Sequence, residues 1–441
     1  MPTWYWILMA TIFGACVGSF LNVVIYRLPQ GESVWSPPSH DPVTGDRLKW
    51  WENIPIVSWL ALRGRSRYSG DPISIQYPLV EAATAAMFGG LTAIYFLTDQ
   101  WPGMAAVGPS LSWVLLITHL VLAASLLAAT VVDAKLFIIP LQVPWFATGV
   151  ALVLLPVGVW AGWQPQVVLE MSGLSLGVAG FSAAALGVAG LLVSIGLLQL
   201  GVLPRSFADE AAWHAQQAPG SAPGSAPGSA PGSSSLAHDS VVEIPGTISN
   251  ETSGGKSGGK SADEGGPSSA ASGTSGGVSG GTSGGPEAWL KYPHGRREMM
   301  KELLFIAPPI VGMLAGWQLA PQGVALSPAL AVLGAVAMGY LVGGGIIWLT
   351  RIFGTLLFGK EAMGLGDVHL LAAIGAVLGW KASIMVFFIA PFFGLAAALV
   401  TIGLTAIRKR EVQAIPYGPY LAAAALLIMT LNAAVRAVFP F

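Results

Sequence analysis

Gly364-Leu365-Gly366-Asp367 sets a carboxylate behind two glycines, at the mouth of an apolar run. An acid at membrane depth costs roughly 2.5–3.5 kcal/mol on insertion scales, so it calls for a partner and a function. Asp133 is the obvious partner. It too ends an apolar segment, Leu111 to Val132, just before Lys135. Two carboxylates that meet at one membrane face can split a peptide bond with water. The ionised one activates the water, the protonated one donates to the carbonyl oxygen or leaving amine, and the pair titrates as a unit. Without side chains, the backbone at Gly364 and Gly366 can pass close to an extended substrate strand. The alternative for this stretch is helix packing with a helix-start Asp.

The surroundings of these acids are those of a polytopic membrane protein. Of 441 residues, 54% are hydrophobic and only 10% charged, with a mean hydropathy of +0.66, and the expected fold class is an all-α transmembrane bundle. A single cysteine, Cys16, lies inside the first apolar run. It excludes a disulfide framework and any Cys-based zinc site. Met1 to Tyr26 is apolar with no basic residue before it and Arg27 directly after it. A cleaved signal peptide has the opposite polarity, so this reads as an uncleaved span that ends in the cytoplasm.

A polar cytoplasmic domain is expected at 27–77. Transmembrane spans including Asp133 follow at 78–202, a low-complexity cytoplasmic linker at 203–297, and spans including the GLGD motif at 298–441. About ten spans are expected in all, the last four at about 327–350, 366–380, 382–406 and 416–437. Threading them alternately puts 19 of the 21 Lys and Arg residues on the cytoplasmic side, with Lys381 and Arg436 outside. The same threading, chosen without the two acids, brings Asp133 and Asp367 to the same face.

The linker carries four tandem Ala-Pro-Gly-Ser units at 218–233 and Gly/Ser/Thr-rich sequence to about 285. Such a segment buries too little apolar surface to fold. Gly254 to Ser261 (GGKSGGKS) formally matches a phosphate loop but lacks the flanking strand and helix, so no nucleotide site is assigned. Gly173/Gly177 and Gly339/Gly343 read as close helix contacts. His119 reads as bonded to a neighbouring helix, Pro308-Pro309 as a kink, and Glu81 either as structurally paired or as lining a polar cavity.

Several stretches together resemble one family, the type IV prepilin peptidases, or leader peptidase/N-methyltransferases. Gly18-Ser19-Phe20-Leu21-Asn22-Val23-Val24-Ile25-Tyr26-Arg27-Leu28-Pro29 resembles the first span and its exit. Trp51-Glu52-Asn53-Ile54-Pro55, Ser58-Trp59-Leu60 and Arg63-Gly64-Arg65 resemble the cytoplasmic domain. Pro72-Ile73-Ser74 and Tyr77-Pro78-Leu79-Val80-Glu81 resemble the start of the second span. Gly359-Lys360-Glu361 through Asp367 resembles the catalytic signature, and Ile415-Pro416-Tyr417-Gly418-Pro419-Tyr420 the final span.

The resemblance implies a GxGD aspartyl peptidase of the bacterial inner membrane, multi-pass, with its active site facing the cytoplasm and Asp133 and Asp367 as the catalytic pair. Its substrates would be prepilins or type II secretion pseudopilins, cut between a basic leader and the apolar segment. No nucleic-acid partner is expected, and proteolysis needs no cofactor. Many members also methylate the new amino terminus with S-adenosylmethionine, using the cytoplasmic domain.

Three departures stand out. Where zinc-binding members carry two CxxC pairs, this chain has Asp41, Thr44, Ser66 and Ser69, so a thiolate zinc site is not expected and methyl transfer is the activity placed in question. His369 stands where the family usually has a Lys, which replaces a permanent charge with a group that titrates near neutrality. The two aspartates lie 234 residues apart, through an insertion of two extra spans and the linker. Because two added crossings leave both acids on one side, the insertion is expected to pack beside the core, and deleting about 165–325 to preserve cleavage. The rival readings are a peptidase lacking methyltransferase activity, a proton-coupled transporter with acids near the bilayer midplane, and a catalytically silent assembly protein.

Overall fold

Ten apolar helices form the body of the protein in the structure, a computed structural model that describes residues 2–41, 43–101, 104–109, 112–206, 295–358, 362–408 and 416–438. They are α1 (Thr3–Arg27), α2 (Gln76–Leu97), α3 (Trp113–Leu136), α4 (Gln142–Trp160), α5 (Val178–Gln199), α6 (Gly295–Gln318), α7 (Pro328–Phe358), α8 (Leu365–Leu378), α9 (Trp380–Arg408) and α10 (Gly418–Thr430). All but α8 and α10 are long and apolar enough to cross a membrane, which gives eight candidate spans. At 14 and 13 residues, α8 and α10 reach only about 20 Å, short of a hydrocarbon core of about 30 Å. They occupy the positions of two of the ten expected spans. α8 stops at Gly379, whose φ of +90° a side-chain-bearing residue rarely adopts. Among the described residues there is no strand, only two isolated bridges, and the protein is an all-α, multi-pass bundle.

Helix α3 is the centre. Val114, Leu115, Leu122, Ala123, Leu126, Ala128 and Ala129 are almost wholly enclosed, and the helix touches α1, α2, α4, α8 and α10. Because lipid tails are as apolar as leucine, the helices associate through close packing rather than through expulsion of water, which favours small residues at their crossings. The crossing of α7 on α8 shows this. A Cβ on Gly339 would overlap the carbonyl of Gly375, and a Cβ on Gly375 the carbonyl of Gly339. Gly339 and Gly343 therefore act as helix-contact glycines. Gly173 and Gly177 do not, since Gly173 lies in a turn with φ of +77° and Gly177 only caps α5.

The inserted pair α5 and α6 packs along its length, and α6 runs as one helix through Pro308 and Pro309. Both helices also lie on α7. Residues 295–297, expected in the linker, belong to α6. The Ala-Pro-Gly-Ser repeats, the phosphate-loop-like stretch and most of the rest of 203–297 lie outside the described residues, as do Gly359-Lys360-Glu361 and Ile415.

Between α1 and α2, residues 28–75 form a small irregular lobe. Asn22 of α1 donates to the Tyr77 carbonyl at 3.1 Å. Glu81, buried on α2, accepts the Ile56 amide at 2.6 Å and so ties the lobe to the bundle. Of the two readings of Glu81, the paired, structural one holds. His119 is likewise paired, its Nδ1 lying 2.9 Å from the Tyr95 hydroxyl of α2.

Candidate active site

Asp133 sits in the last turn of α3 and Asp367 in the first turn of α8. They are buried, 6% and 8% exposed, and near enough for the charge of one to act on the other. Neither is at mid-helix, the position a proton-coupled transporter would call for.

Four segments meet around them: the end of α3, the turn that follows it, the start of α8 and the start of α10. The chain leaves α3 at Phe137 in a left-handed conformation, φ 56°, which turns the following residues back toward α8. Ile139 then packs between two glycines. A Cβ on Gly366 would lie 2.8 Å from the Ile139 Cβ, and one on Gly418 would lie 3.1 Å from the Ile139 Cδ1. Gly418 opens α10, and its amide donates to Asp133 Oδ2 at 3.0 Å. A Cβ there would come within 2.7 Å of that same oxygen. The helix start thus offers both an N–H and the positive end of its dipole to the carboxylate. Tyr417, the preceding residue, lies within electrostatic reach of Asp367.

On α8, the Asp367 carboxylate turns back on the Gly364 backbone at the helix start. Gly364 is exposed, with backbone open to an incoming strand, whereas the face of Gly366 is filled by Ile139. Of the two glycines expected to touch substrate, Gly366 therefore already has a packing reason to be glycine. The sequence reading did not single out Gly418 or Ile139. The Tyr-Gly-Pro at 417–419, a helix start immediately after a polar stretch, is the signal that could have found Gly418.

The loop before Gly364 is anchored separately. Arg351 of α7, 5% exposed, donates from Nη1 to the Met363 carbonyl at 2.7 Å. Its Nε and Nη2 reach Glu302 of α6, at 3.2 Å to Oε2 and 3.3 Å to Oε1. The Trp348 indole donates to Glu302 Oε2 at 3.0 Å, and Thr355 accepts the Ala362 amide at 3.2 Å. The insertion is thus joined to the segment that carries Asp367, and the expectation that residues 165–325 are dispensable is not supported: deletion removes the counterion of a buried arginine.

His369 lies on another side of α8 with Leu365, Val368 and Ala372, lining a cavity of about 850 Å³ between α5, α6, α7 and α8. Its Nδ1 is 3.3 Å from the Trp145 indole nitrogen and 3.0 Å from the Tyr340 hydroxyl. An indole N–H only donates, so Nδ1 is an acceptor here and the ring is neutral in this arrangement.

The lobe offers a contrasting carboxylate. Asp41, Thr44, Ser66 and Ser69 do converge, on two turns of the same design. In each, the first residue donates its N–H to an aspartate carbonyl five positions on, Asp41 to Asp46 at 2.9 Å and Ser66 to Asp71 at 2.8 Å. Its carbonyl accepts the amide of Gly45 or Gly70, both at φ +76°. Asp41 Oδ1 accepts the Val43 and Thr44 amides, and Oδ2 accepts the Ser66 and Ser69 hydroxyls. These bonds, that from Ser66 foremost, hold the Asp41 carboxyl well below the usual carboxylate range. One carboxylate already saturated by hydrogen bonds, with three hydroxyls, is not a zinc donor set, so a thiolate-type zinc centre does not fit this lobe.

The family model for the bacterial peptidase A24 N-terminal domain matches residues 12–96, and that for the type IV leader peptidase family matches residues 305–399. The second match contains Asp367 but not Asp133, and it begins inside α6. Similar proteins named prepilin leader peptidase/N-methyltransferase come from Xanthomonas campestris pv. campestris (47% identical, over 21% of this chain and 40% of the relative) and Myxococcus xanthus (41%, over 32% and 38%). A third, from Pectobacterium carotovorum, is 36% identical over 32% of this chain and 52% of the relative. The chain thus spans about 40% to half of the length of these relatives. No solved structure matches. The two domain models match in order along one multi-pass bundle, and the chain is similar over these segments to the type IV leader peptidase family and to the relatives named.

Proposed function

We propose that the protein is an aspartyl endopeptidase that removes the leader from prepilins or pseudopilins at the cytoplasmic face of the bacterial inner membrane. The observation that carries this reading is the convergence of Asp133 and Asp367 from helices far apart in sequence: Gly418, whose amide holds Asp133, and Gly366, the neighbour of Asp367, pack on the same Ile139 side chain. Asp133 is held by the Gly418 amide, while oxygens of both acids stay free for a water and a shared proton. One aspartate serves as base and the other as acid. Gly364 offers backbone to the substrate strand. The Lys and Arg asymmetry of the alternating threading, 19 of 21 on the side shared by Asp133 and Asp367, supports the cytoplasmic orientation.

Methylation of the new amino terminus, with S-adenosylmethionine as donor, is proposed as a second activity of the lobe at residues 27–77, because the similar proteins are named N-methyltransferases as well as leader peptidases. The domain boundaries at residues 26, 77 and 202 are proposed with the roles given above, and the last bundle segment begins with α6 at Gly295. Co-expression with a prepilin is the test. The wild-type protein converts precursor to mature pilin, and Asp133→Asn and Asp367→Asn each leave the precursor uncut while still inserting in the membrane. Full processing by either variant would overturn the assignment.

A further inference from the structure

We propose that Glu302, on the inserted helix α6, is a positioning residue for the peptidase site, acting through Arg351 on the loop that presents Asp367. The inference rests on the peptidase reading above. Arg351 and Glu302 are each 5% exposed and meet as a two-nitrogen fork on one carboxylate, the geometry in which guanidinium and carboxylate bind most directionally.

Arg351 Nη1 donates to the Met363 carbonyl, one residue before Gly364 and four before Asp367. A buried arginine without its anion either seeks another acceptor or draws water in, and in both cases the Nη1–Met363 contact loses its direction. Trp348 donates to the same Glu302 oxygen that Arg351 Nε uses, so the carboxylate is held from α7 at two points and cannot rotate freely with its helix. The charge neighbours of the pair on α6 are Lys301 and Glu298, bonded to each other at 2.8 Å. The insertion thus supplies a component of the site that the two carboxylates cannot supply themselves: it fixes the loop from which α8 starts.

The test compares Glu302→Gln, Glu302→Asp and Arg351→Lys in steady-state cleavage of a prepilin by purified protein, with an Asp367→Asn control. Glutamine keeps the shape and loses the charge. It is expected to lower kcat about 10- to 100-fold with KM within about twofold, as misplacement of a reacting group does. Aspartate restores most of the rate, and Arg351→Lys, which cannot span both partners, behaves like Glu302→Gln. A residue that serves only stability would instead lower the yield of active enzyme and leave kcat per active site unchanged.

An activity-independent readout is maleimide labelling of Met363→Cys in a Cys16→Ser background. Labelling accelerates severalfold when Glu302→Gln is added. Unchanged kcat in Glu302→Gln, or unchanged labelling, overturns the proposal. If the wild-type protein cuts no prepilin, the peptidase reading fails, and the labelling rates still decide whether Glu302 fixes the loop.

Discussion

Two carboxylate centres in this protein are treated in opposite ways. Asp41, in the lobe, accepts four hydrogen bonds, two from amides and two from hydroxyls. Asp133, in the bundle, accepts one described bond, from Gly418, and faces a second acid. A carboxylate whose lone pairs are saturated is fixed as an anion and has nothing left to give or take. One that is buried with open lone pairs beside another acid keeps its capacity for a proton and a water. The first arrangement suits structure, and the second is what the proposed peptidase chemistry requires. The largest expected effect tests that contrast directly. Asp133→Asn and Asp367→Asn should each lower prepilin cleavage about 10³-fold or more, within the range lost with a general acid or base. Asp41→Asn should leave cleavage within about threefold. Equal losses in correctly inserted proteins would erase the distinction.

The next effect sharpens the description of the bundle centre. Gly418→Ala puts a methyl against Asp133 Oδ2 and presses on Ile139, so either α10 or the carboxylate must shift. Cleavage should fall about 10- to 100-fold, while the melting temperature in detergent moves by only a few degrees, because the new methyl is otherwise apolar and small. A variant with wild-type kcat would show that the 3.0 Å amide contact is incidental.

Much of this was legible in the sequence, for reasons that differ from residue to residue. Asp133 and Asp367 stood out because an acid next to an apolar run is expensive, and the Lys/Arg asymmetry put both on one face. The lengths of α8 and α10 were not legible. Hydropathy counts apolar residues but does not see Gly379 at φ +90° end a helix. Gly418 was quoted for its family pattern, yet only the fold shows that it meets an oxygen 285 residues away. Glu302 was not singled out in the sequence. Its pairing with Arg351 spans the insertion's packing on α7, which no periodicity encodes. In the lobe, the loss of four thiol positions was plain. What replaces them was not, since a short Asp-x-x-Thr and Ser-x-x-Ser become a centre only when the two turns face each other.

That replacement predicts a smaller effect. Asp41→Ala strands two hydroxyls and two amides, and loss of hydrogen bonds to a charged group should destabilise the lobe by about 1–3 kcal/mol. Limited trypsin digestion reads this at Arg47, Lys49, Arg63, Arg65 and Arg67, all within or beside the two turns. Cleavage there should quicken in the variant, and the bundle helices should stay intact. Equal protection would mean that the turns hold through their backbone bonds alone.

The smallest expected effect is none at all, and it separates this lobe most cleanly from a metal-held one. A thiolate zinc site gives up its metal to a strong chelator and loses structure with it. Here the Asp41 carboxylate fills the centre, so tryptic protection of residues 41–71 should be the same with and without chelator. The pH dependence has a definite sign. Hydrogen bonds, that from the Ser66 hydroxyl foremost, put the folded Asp41 carboxyl below its ordinary value of 3.8 against the opposing effect of burial, and Glu52, held by the Lys49 amide and the Tyr68 hydroxyl, is lowered as well. Groups shifted in this direction contribute fully above their unfolded pKa and lose the contribution as pH falls through the folded one. Protection should therefore be flat from pH 8 to about 5 and fall only below about 4. Loosening between pH 7 and 5, or on adding chelator, would mean that a titrating metal ligand, rather than the Asp41 hydrogen bonds, holds the two turns together.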